Sequence, residues 1–159
     1  MKVEIRLMDK RDIPKINKII DEIFNKYDKV SAKNTIKFHF KCKESGIDDG
    51  RKYWVAEVNK KIVGFIGSVN TIQSVFWLSW FGVKKDFQGK GIGKKLFEFF
   101  LNEAKRRKAK VICIEAGSAP MFKKVNEMYK KYGFEEKFRI KDFWSKNDDL
   151  ILFVKIMNR

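Results

Sequence analysis

Residues 88–95, Q-G-K-G-I-G-K-K, are the part of this sequence best suited to binding a phosphate. Glycines let the main chain turn tightly and let a ligand approach it closely, because they carry no side chain. A helix that begins at such a turn presents unpaired N–H groups and the positive end of its dipole. Lys90, Lys94 and Lys95 add full positive charges. Together these features favour a phosphate or pyrophosphate ligand.

Two familiar phosphate-binding motifs do not match this segment. A P-loop has four residues between its glycines and a Ser or Thr after the lysine, whereas three residues separate Gly89 from Gly93 and Lys95 follows Lys94. The dinucleotide fingerprint G-x-G-x-x-G needs its third glycine where Lys94 stands. On these residues alone, a glycine-rich helix start with solvated lysines explains the pattern equally well.

The elements that must position this segment follow from the hydrophobic periodicity, which predicts the order β-α-α-β-β-β-α-β-α-β-β. Helices that connect strands indicate parallel pairs, and hairpins indicate antiparallel pairs. The order predicts a single three-layer α/β/α domain with a mixed sheet of about seven strands. The predicted strands are 3–7, 53–58, 62–69, 74–83, 111–115, 134–140 and 150–157, and the predicted helices are 12–27, 32–44, 91–108 and 121–132.

The composition is that of a folded, strongly basic chain. Of the 159 residues, 44% are hydrophobic and 14% aromatic, which excludes a disordered chain. The 36 Lys and Arg against 20 Asp and Glu give a net charge of +16, which should attract nucleic acid, acidic membranes or a phosphorylated cofactor. Two cysteines, Cys42 and Cys113, and one histidine, His39, provide neither a disulfide framework nor metal-ligand spacing. We therefore expect no metal.

The chain carries no evident targeting signal or internal boundary. Charged residues interrupt the apolar residues at the N-terminus, so we predict no signal peptide. The uncharged run 62–83 contains Gly, Ser, Asn and Thr and indicates buried strands, since a membrane helix would be more uniformly apolar. No repeat or Pro/Gly/Ser linker divides the chain. We predict one domain over residues 1–159 of a cytoplasmic protein.

Two motifs resemble those of the GNAT superfamily of N-acyltransferases. Gln88, Gly91 and Gly93 match its acetyl-CoA signature, R/Q-x-x-G-x-G/A, and Y-K-K-Y-G-F at residues 129–134 resembles the family's Y-x-x-x-G-F ending. The element order and the distance between the two motifs also agree. The resemblance covers essentially the whole chain, is strongest over residues 75–135, and implies a GNAT-like fold with a mostly antiparallel sheet.

The resemblance implies that the chain binds acetyl-CoA as a co-substrate. In the family, the main chain of the glycine motif cradles the CoA pyrophosphate, and the end of the preceding strand pairs with the pantetheine arm as an added strand would. Carried over to this chain, the pyrophosphate residues are Gln88, Gly89, Lys90, Gly91, Ile92, Gly93 and Lys94. The strand residues are Phe81, Gly82 and Val83.

The resemblance also implies two catalytic residues. Tyr129 matches the family tyrosine that protonates the departing thiolate, a task that a phenol can perform; on spacing alone, Phe122, Val125 and Tyr129 form an ordinary core face of a helix. Glu115, in I-E-A, resembles the L-E-V glutamate that some protein amine acetyltransferases use as a base. A strand-end glutamate that pairs with a surface lysine explains it equally well. Phe122 stands where the family often has Asn.

For the acceptor side, the resemblance points to the helical N-terminal half and to the loop between the last two strands. An acidic, aromatic loop suits a cationic amine, and a polar hairpin loop with one hydrophobic anchor is the alternative. His39 either lines the cleft or fills a helix face. The residues of that loop are Asp142, Phe143, Trp144, Asp148 and Asp149.

We therefore predict an acetyl-CoA-dependent N-acetyltransferase that acts by direct attack of a primary amine, which a protein or peptide N-terminus, a lysine or a small molecule could supply. The alternative is a CoA-binding regulator, or a basic RNA- or ribosome-binding module of the same fold, without turnover. No helix-turn-helix, RNP or zinc pattern supports nucleic-acid recognition. We expect a monomer or homodimer with an amine acceptor as its partner and no association with a membrane.

Overall fold

The computed structural model of the chain describes residues 1–72 and 74–157, which contain four helices and seven strands in the predicted order. The strands are β1 Glu4–Leu7, β2 Arg51–Val58, β3 Lys61–Ile72, β4 Val75–Val83, β5 Val111–Gly117, β6 Glu135–Ser145 and β7 Asp148–Ile156. The helices are α1 Ile13–Ile23, α2 Lys26–Glu44, α3 Ile92–Arg106 and α4 Lys123–Lys131.

The strands form one mixed sheet in the order β1-β2-β3-β4-β5-β7-β6. The β1–β2, β2–β3, β5–β7 and β6–β7 pairs are antiparallel, and the β4–β5 pair is parallel. This confirms the prediction of a mixed, mostly antiparallel sheet of about seven strands. The parallel ladder joins residues 75–77 to residues 111–113.

The chain divides into two compact units. The first unit contains Met1–Val69 and Ser79–Glu103, and the second contains Asn70–Leu78 and Ala104–Arg159. The end of β4 therefore belongs to the first unit and its beginning to the second. One domain over residues 1–159 stays a prediction, and Gln73, Asn158 and Arg159 within that range lie outside the described residues.

In the first unit, α1 and α2 are separate helices because Asn25 caps the second one. Phe24 has an extended backbone, and the Asn25 side chain accepts hydrogen bonds from the N–H groups of Tyr27 and Asp28. Such an N-cap starts a helix at the next residue. The predicted extension of the first helix to Tyr27, and the predicted start of the second near Ala32, are therefore wrong.

The core of the first unit is formed by these helices together with β2 and β3. Ile16 and Ile20 of α1, Ile36 of α2 and Phe65 of β3 are fully buried, as expected for the apolar faces of amphipathic elements. Residues 59 and 60 join β2 to β3 and both have positive φ, 49° and 61°. This turn geometry matches the twist of a hairpin. It confirms the hairpin that the predicted strands 53–58 and 62–69 imply, with a turn of two residues where the sequence predicts three, 59–61.

In the second unit, β5 and β7 bury one face of the sheet. Ile112, Ile114, Ile151 and Phe153 are buried, and the ladder places them on the same face. The Tyr129 ring of α4 packs against the Phe153 ring. β6 lies at the edge of the sheet, and each of its residues is exposed.

The predicted loop between the last two strands is a two-residue turn at residues 146–147, because β6 and β7 continue up to it. Asp142, Phe143, Trp144, Asp148 and Asp149 therefore lie within the strands. Two of the three carboxylates hold the hairpin: Asp142 accepts from the Asn147 N–H, and Asp149 accepts from the Asp142 N–H and from Arg139. The structure therefore contains the polar hairpin of the two alternatives, and a role of these residues in binding a cationic amine stays a prediction.

The structure also bears on the membrane helices, metal ligands, cysteines and histidine that the composition raised. Among residues 1–72 and 74–157, none of the helices has the length and apolarity needed to cross a membrane. No group of three or more His, Cys, Asp or Glu side chains in that part of the chain could hold a metal ion. Cys42 and Cys113 are free and buried. His39 is buried in α2 with Nδ1 2.8 Å from an Asp49 carboxylate oxygen, which agrees with a residue that fills a helix face.

Candidate active site

The glycine segment forms a turn and a helix start within the first unit. A single 3₁₀ turn, Lys85–Phe87, follows β4, and α3 begins at the buried Ile92. Gly89 and Gly91 have φ of 72° and 81°, a region that is costly for a residue with a side chain. Apart from the adjacent residues of the chain, no atom of the described residues lies within 4 Å of the point where a Cβ would stand at either glycine. Backbone conformation therefore requires both glycines, and the space beside them is open.

Gln88 holds this turn against the end of β4. Its Nε2 donates a hydrogen bond to the Val83 carbonyl at 2.9 Å. The Lys84 N–H donates to the Val63 carbonyl of β3 at 2.8 Å, which anchors the exit of the strand. The Gln88 side chain thus shapes the turn, and the main chain of the segment is left to contact a ligand.

The start of α3 lies beside the end of β4. A Cβ on Gly93 would stand 3.7 Å from the Phe81 ring and 3.7 Å from the Val83 side chain, which is ordinary contact. The first N–H groups of a helix have no partner within it, and in α3 these belong to Ile92, Gly93 and Lys94. With the positive end of the helix dipole, they can hold an anion.

Lysine side chains add charge to this helix start. Lys90 Nζ lies 5.2 Å from the centre of the Phe87 ring, a cation–π distance. Lys94 is exposed, and its Nζ lies 3.9 Å from a Glu98 carboxylate oxygen. An exposed ion pair of this length contributes little, so the Lys94 ammonium can turn to a phosphate.

Gly82 of β4 is required by packing. A Cβ there would stand 2.3 Å from Ile23 Cδ1 and 3.4 Å from the Phe65 ring. Ile23, at the end of α1, therefore occupies the position that a side chain at residue 82 would need, and only main-chain atoms of Gly82 can contact a ligand.

Glu115 and Tyr129, the two predicted catalytic residues, lie in the second unit on opposite faces of β5. In the β5–β7 ladder, Glu115 pairs with Leu152 and Ile114 pairs with Phe153. Directly paired residues project to the same face, and neighbours along a strand alternate. The Tyr129 ring lies 5.8 Å from the Phe153 ring, centre to centre, so it occupies the Ile114 face, and Glu115 projects from the other.

Tyr129 is buried between two aromatic rings, those of Phe134 and Phe153. Burial raises the pKa of its phenol above the ordinary value, because a phenolate is poorly solvated in an apolar site. The hydroxyl therefore keeps its proton at neutral pH. This placement is compatible with both interpretations of Tyr129, an aromatic residue of the core and a proton donor, and its catalytic role stays a prediction.

Glu115 is exposed, and across the described part of the chain its carboxylate makes no hydrogen bond or ion pair. The interpretation of a glutamate paired with a surface lysine is therefore not supported. An ionised carboxylate without a partner can accept a proton or bind a cation.

Two polar side chains, Asp148 and Asn126, position the end of β5, a role that the sequence did not indicate for either. Asp148 Oδ1 accepts hydrogen bonds from the N–H groups of Ser118 and Ala119, at 2.9 and 3.1 Å. Asn126 Nδ2 donates to the Gly117 carbonyl at 2.8 Å. Asp148 and Ser118 are 30 positions apart, so no local pattern in the sequence signals the contact.

The comparison with known families identifies the chain. Residues 49–136 match the acetyltransferase (GNAT) domain family. The chain belongs to the GNAT acetyltransferase family. The matched GNAT region contains both the glycine segment and the Y-K-K-Y-G-F motif, and it confirms the resemblance that those motifs indicated.

Individual GNAT proteins agree with this assignment. The chain is 30% identical over 151 residues to an uncharacterized N-acetyltransferase of Methanocaldococcus jannaschii, covering 86% of this chain and 62% of that protein. It spans less than two thirds of the length of the curated relatives that it matches.

Solved GNAT structures share the fold. A GNAT-family protein from Desulfovibrio desulfuricans has a TM-score of 0.85 and 16% identity, covering 98% of this chain and 99% of its own. A GNAT family acetyltransferase from Elizabethkingia anophelis with acetyl-CoA bound has a TM-score of 0.71 and 17% identity, covering 98% of each chain. At these identities the likeness establishes the fold.

Proposed function

We propose that this chain transfers an acetyl group from acetyl-CoA to a primary amine. The observation that carries the proposal is the left-handed conformation of Gly89 and Gly91 directly before α3, in open space and next to lysines. Main-chain N–H groups and a helix dipole at one point are suited to a pyrophosphate. The GNAT structure from E. anophelis holds acetyl-CoA, which supports the same ligand here. The proposed pyrophosphate residues are Gln88, Gly89, Lys90, Gly91, Ile92, Gly93 and Lys94.

The pantetheine arm is assigned to the end of β4. The parallel ladder of β4 ends at residue 77, so the main chain of its last residues can pair with an extended ligand. We assign these contacts to Phe81, Gly82 and Val83. The packing of Gly82 supports this assignment, because Ile23 occupies the position of a side chain there and only main-chain atoms of Gly82 can contact a ligand.

The chemistry is divided between two side chains of the second unit. Bound acetyl-CoA supplies an acetyl group activated as a thioester. A neutral amine attacks the acetyl carbon, a C–N bond forms and the C–S bond breaks. Glu115 takes a proton from the ammonium form of the acceptor and so supplies this neutral amine, for which its exposed, unpaired carboxylate in the described structure is suited. The proton that the nitrogen loses as the amide forms passes to solvent. Tyr129 donates a proton to the departing thiolate, since burial keeps its phenol protonated.

Two measurements test this function. Calorimetry with CoA and acetyl-CoA should give heat of binding that weakens as the salt concentration rises, because the site is cationic. Release of free thiol from acetyl-CoA should require an amine acceptor. Binding without thiol release for any amine would support a CoA-binding regulator instead, and no heat with either ligand would contradict the proposal.

A further inference from the structure

One face of the sheet in the second unit carries apolar side chains beside the Glu115 carboxylate. The ladders place Glu115 opposite Leu152, and Leu152 opposite Phe138. These three side chains therefore form one row across β5, β7 and β6 on the same face. The next row consists of Gly117, Leu150 and Ile140.

The described residues leave the β6 side chains of this face exposed and cover the rest of it more fully: the Phe122 ring lies 2.7 Å from the point where a Cβ of Gly117 would stand. Phe138 is 51% exposed and Ile140 is 38% exposed, and the two leucines are half-buried. On the other face of the same strands, Ile151 and Phe153 are buried. Phe138 and Ile140 adjoin the leucines through the ladder, and neighbouring apolar side chains that are left exposed on one face are a candidate binding site.

Glu115 supplies an unpaired negative charge on this face. The ladders place two further acids there, and both are engaged: Glu135 pairs with Lys137 at 2.6 Å, and Asp148 accepts two main-chain N–H groups. In a chain of net charge +16, an unpaired carboxylate beside apolar side chains creates a local preference for a cation with an apolar neighbour.

We infer that this face binds the acceptor as a peptide whose first residue is apolar, with its α-amino group at Glu115 and its first side chain on Leu152. The inference rests on the proposed function. Neighbouring strands are about 4.8 Å apart, so the row from Glu115 to Phe138 spans about 10 Å, which matches an extended peptide of about three residues.

An α-amino group suits this site better than a lysine side chain. Its ordinary pKa is about 7.7–8.0, against about 10.4 for lysine. A carboxylate is a weak base, so it removes a proton more readily from the group that holds it less tightly. The apolar row also begins next to the carboxylate, where the first side chain of a peptide would lie.

The test compares peptides that differ only in their first residue, Leu, Gly or Asp, with an N-acetylated peptide containing lysine and with a small aliphatic amine. Thiol release from acetyl-CoA reports kcat and KM. We expect kcat/KM for the Leu peptide to exceed that for the Gly peptide by about tenfold or more, the discrimination typical of an apolar side chain in a binding site.

Leu152→Ala should raise KM for the Leu peptide several-fold and leave the Gly peptide unchanged, because the first side chain lies on Leu152. Phe138→Ala should weaken binding of both peptides alike, because Phe138 contacts a later residue that the two peptides share. Ile156→Ala is the matched control: Ile156 is 70% exposed on the same face of β7, but it lies four residues from Leu152, about 13 Å along the strand. It should change neither peptide.

The outcomes separate the inference from the proposed function. Equal rates for the three peptides, or a preference for lysine or the small amine, would overturn the inference while transfer itself stands. A dimer that dissociates in Phe138→Ala with no change in KM would assign the face to a second copy of the chain. If no acceptor releases thiol, the proposed function fails, and fluorescence anisotropy of labelled Leu and Asp peptides still decides whether the face binds an apolar N-terminus.

Discussion

Glu115 and Tyr129 project to opposite faces of β5, because Glu115 shares a face with Leu152 while the Tyr129 ring packs on Phe153. Acyl transfer to an amine needs one group to take a proton from the nucleophile and another to give a proton to the leaving group. Placement on two faces keeps these groups from exchanging a proton directly. We therefore expect Glu115 to accept a proton only from the amine and Tyr129 to donate a proton only to the thiolate.

Glu115→Gln should lower kcat/KM most at pH values below about 8, where an α-amino acceptor is largely protonated and needs a base. At higher pH the amine is neutral without help, so the variant should approach the wild-type rate. Unfolding in urea should be unchanged, since the carboxylate has no partner in the described structure. Glu135→Gln, an exposed acid paired with Lys137, is the control, and an equal loss at every pH would contradict a role as base.

Tyr129→Phe should lower kcat by about a hundredfold, the usual contribution of a positioned proton donor. The ring contacts with Phe134 and Phe153 remain in this variant, so circular dichroism should show a folded protein. Tyr132→Phe, at the end of α4, is the matched control. In the double variant with Glu115→Gln, the losses in kcat/KM should multiply; a double loss no greater than the larger single loss would show that the two residues act as one unit.

The burial of Tyr129 should also appear as a loss of stability in alkali. Burial raises the pKa of the folded phenol, whereas the unfolded phenol has a pKa of about 10. Above that pH the unfolded state releases a proton that the folded state keeps, so the unfolding free energy falls by up to about 1.4 kcal/mol per pH unit. Below it, this contribution is fully present.

Urea unfolding of wild type and Tyr129→Phe between pH 9 and 11 measures this effect. The slope against pH should be shallower in the variant. Burial also raises the pKa of Tyr53. Tyr53 contributes equally to the pH dependence of stability in both proteins, so its contribution cancels in the comparison. Parallel slopes would mean that the Tyr129 phenol titrates normally in the folded protein.

Gly91→Ala should destabilise the protein by about 1–2 kcal/mol, because the left-handed conformation at φ of 81° disfavours a side chain. It should also weaken CoA binding, since the turn before α3 must change. Gly46→Ala is the control, because Gly46 has a φ of 71° and lies outside the glycine segment. Urea unfolding should find the Gly46 variant destabilised to a similar extent, and calorimetry should find that it binds CoA normally; strong CoA binding by a destabilised Gly91 variant would place the ligand elsewhere.

Asp148→Ala should loosen the segment that follows β5. The variant removes the acceptor of two main-chain N–H groups, at Ser118 and Ala119, which should cost about 2 kcal/mol. Hydrogen exchange at these two amides should become faster. Asp86→Ala, an exposed acid in the turn after β4, should leave both amides unchanged, and unchanged exchange in the Asp148 variant would show that other groups hold this segment.

Local patterns in the sequence were sufficient for the element order, the β2–β3 hairpin and the glycine segment. Each depends on neighbours along the chain: apolar periodicity, turn chemistry, and glycines at Gly89 and Gly91 where φ is positive. The family followed from two such motifs. The boundary between the first two helices was misjudged because the Asn25 cap is a single residue within a continuous apolar stripe.

The tertiary structure decided which groups face one another. Strand register sets the face of Glu115 through its partner Leu152, which is 37 positions away, and a shift of one residue would reverse that face. The pairing of β6 with β7 places the residues of the predicted acidic loop in strands and engages the Asp149 carboxylate within the hairpin. Such contacts join residues that are distant along the chain, and they stabilise the fold without producing a local or periodic pattern in the sequence.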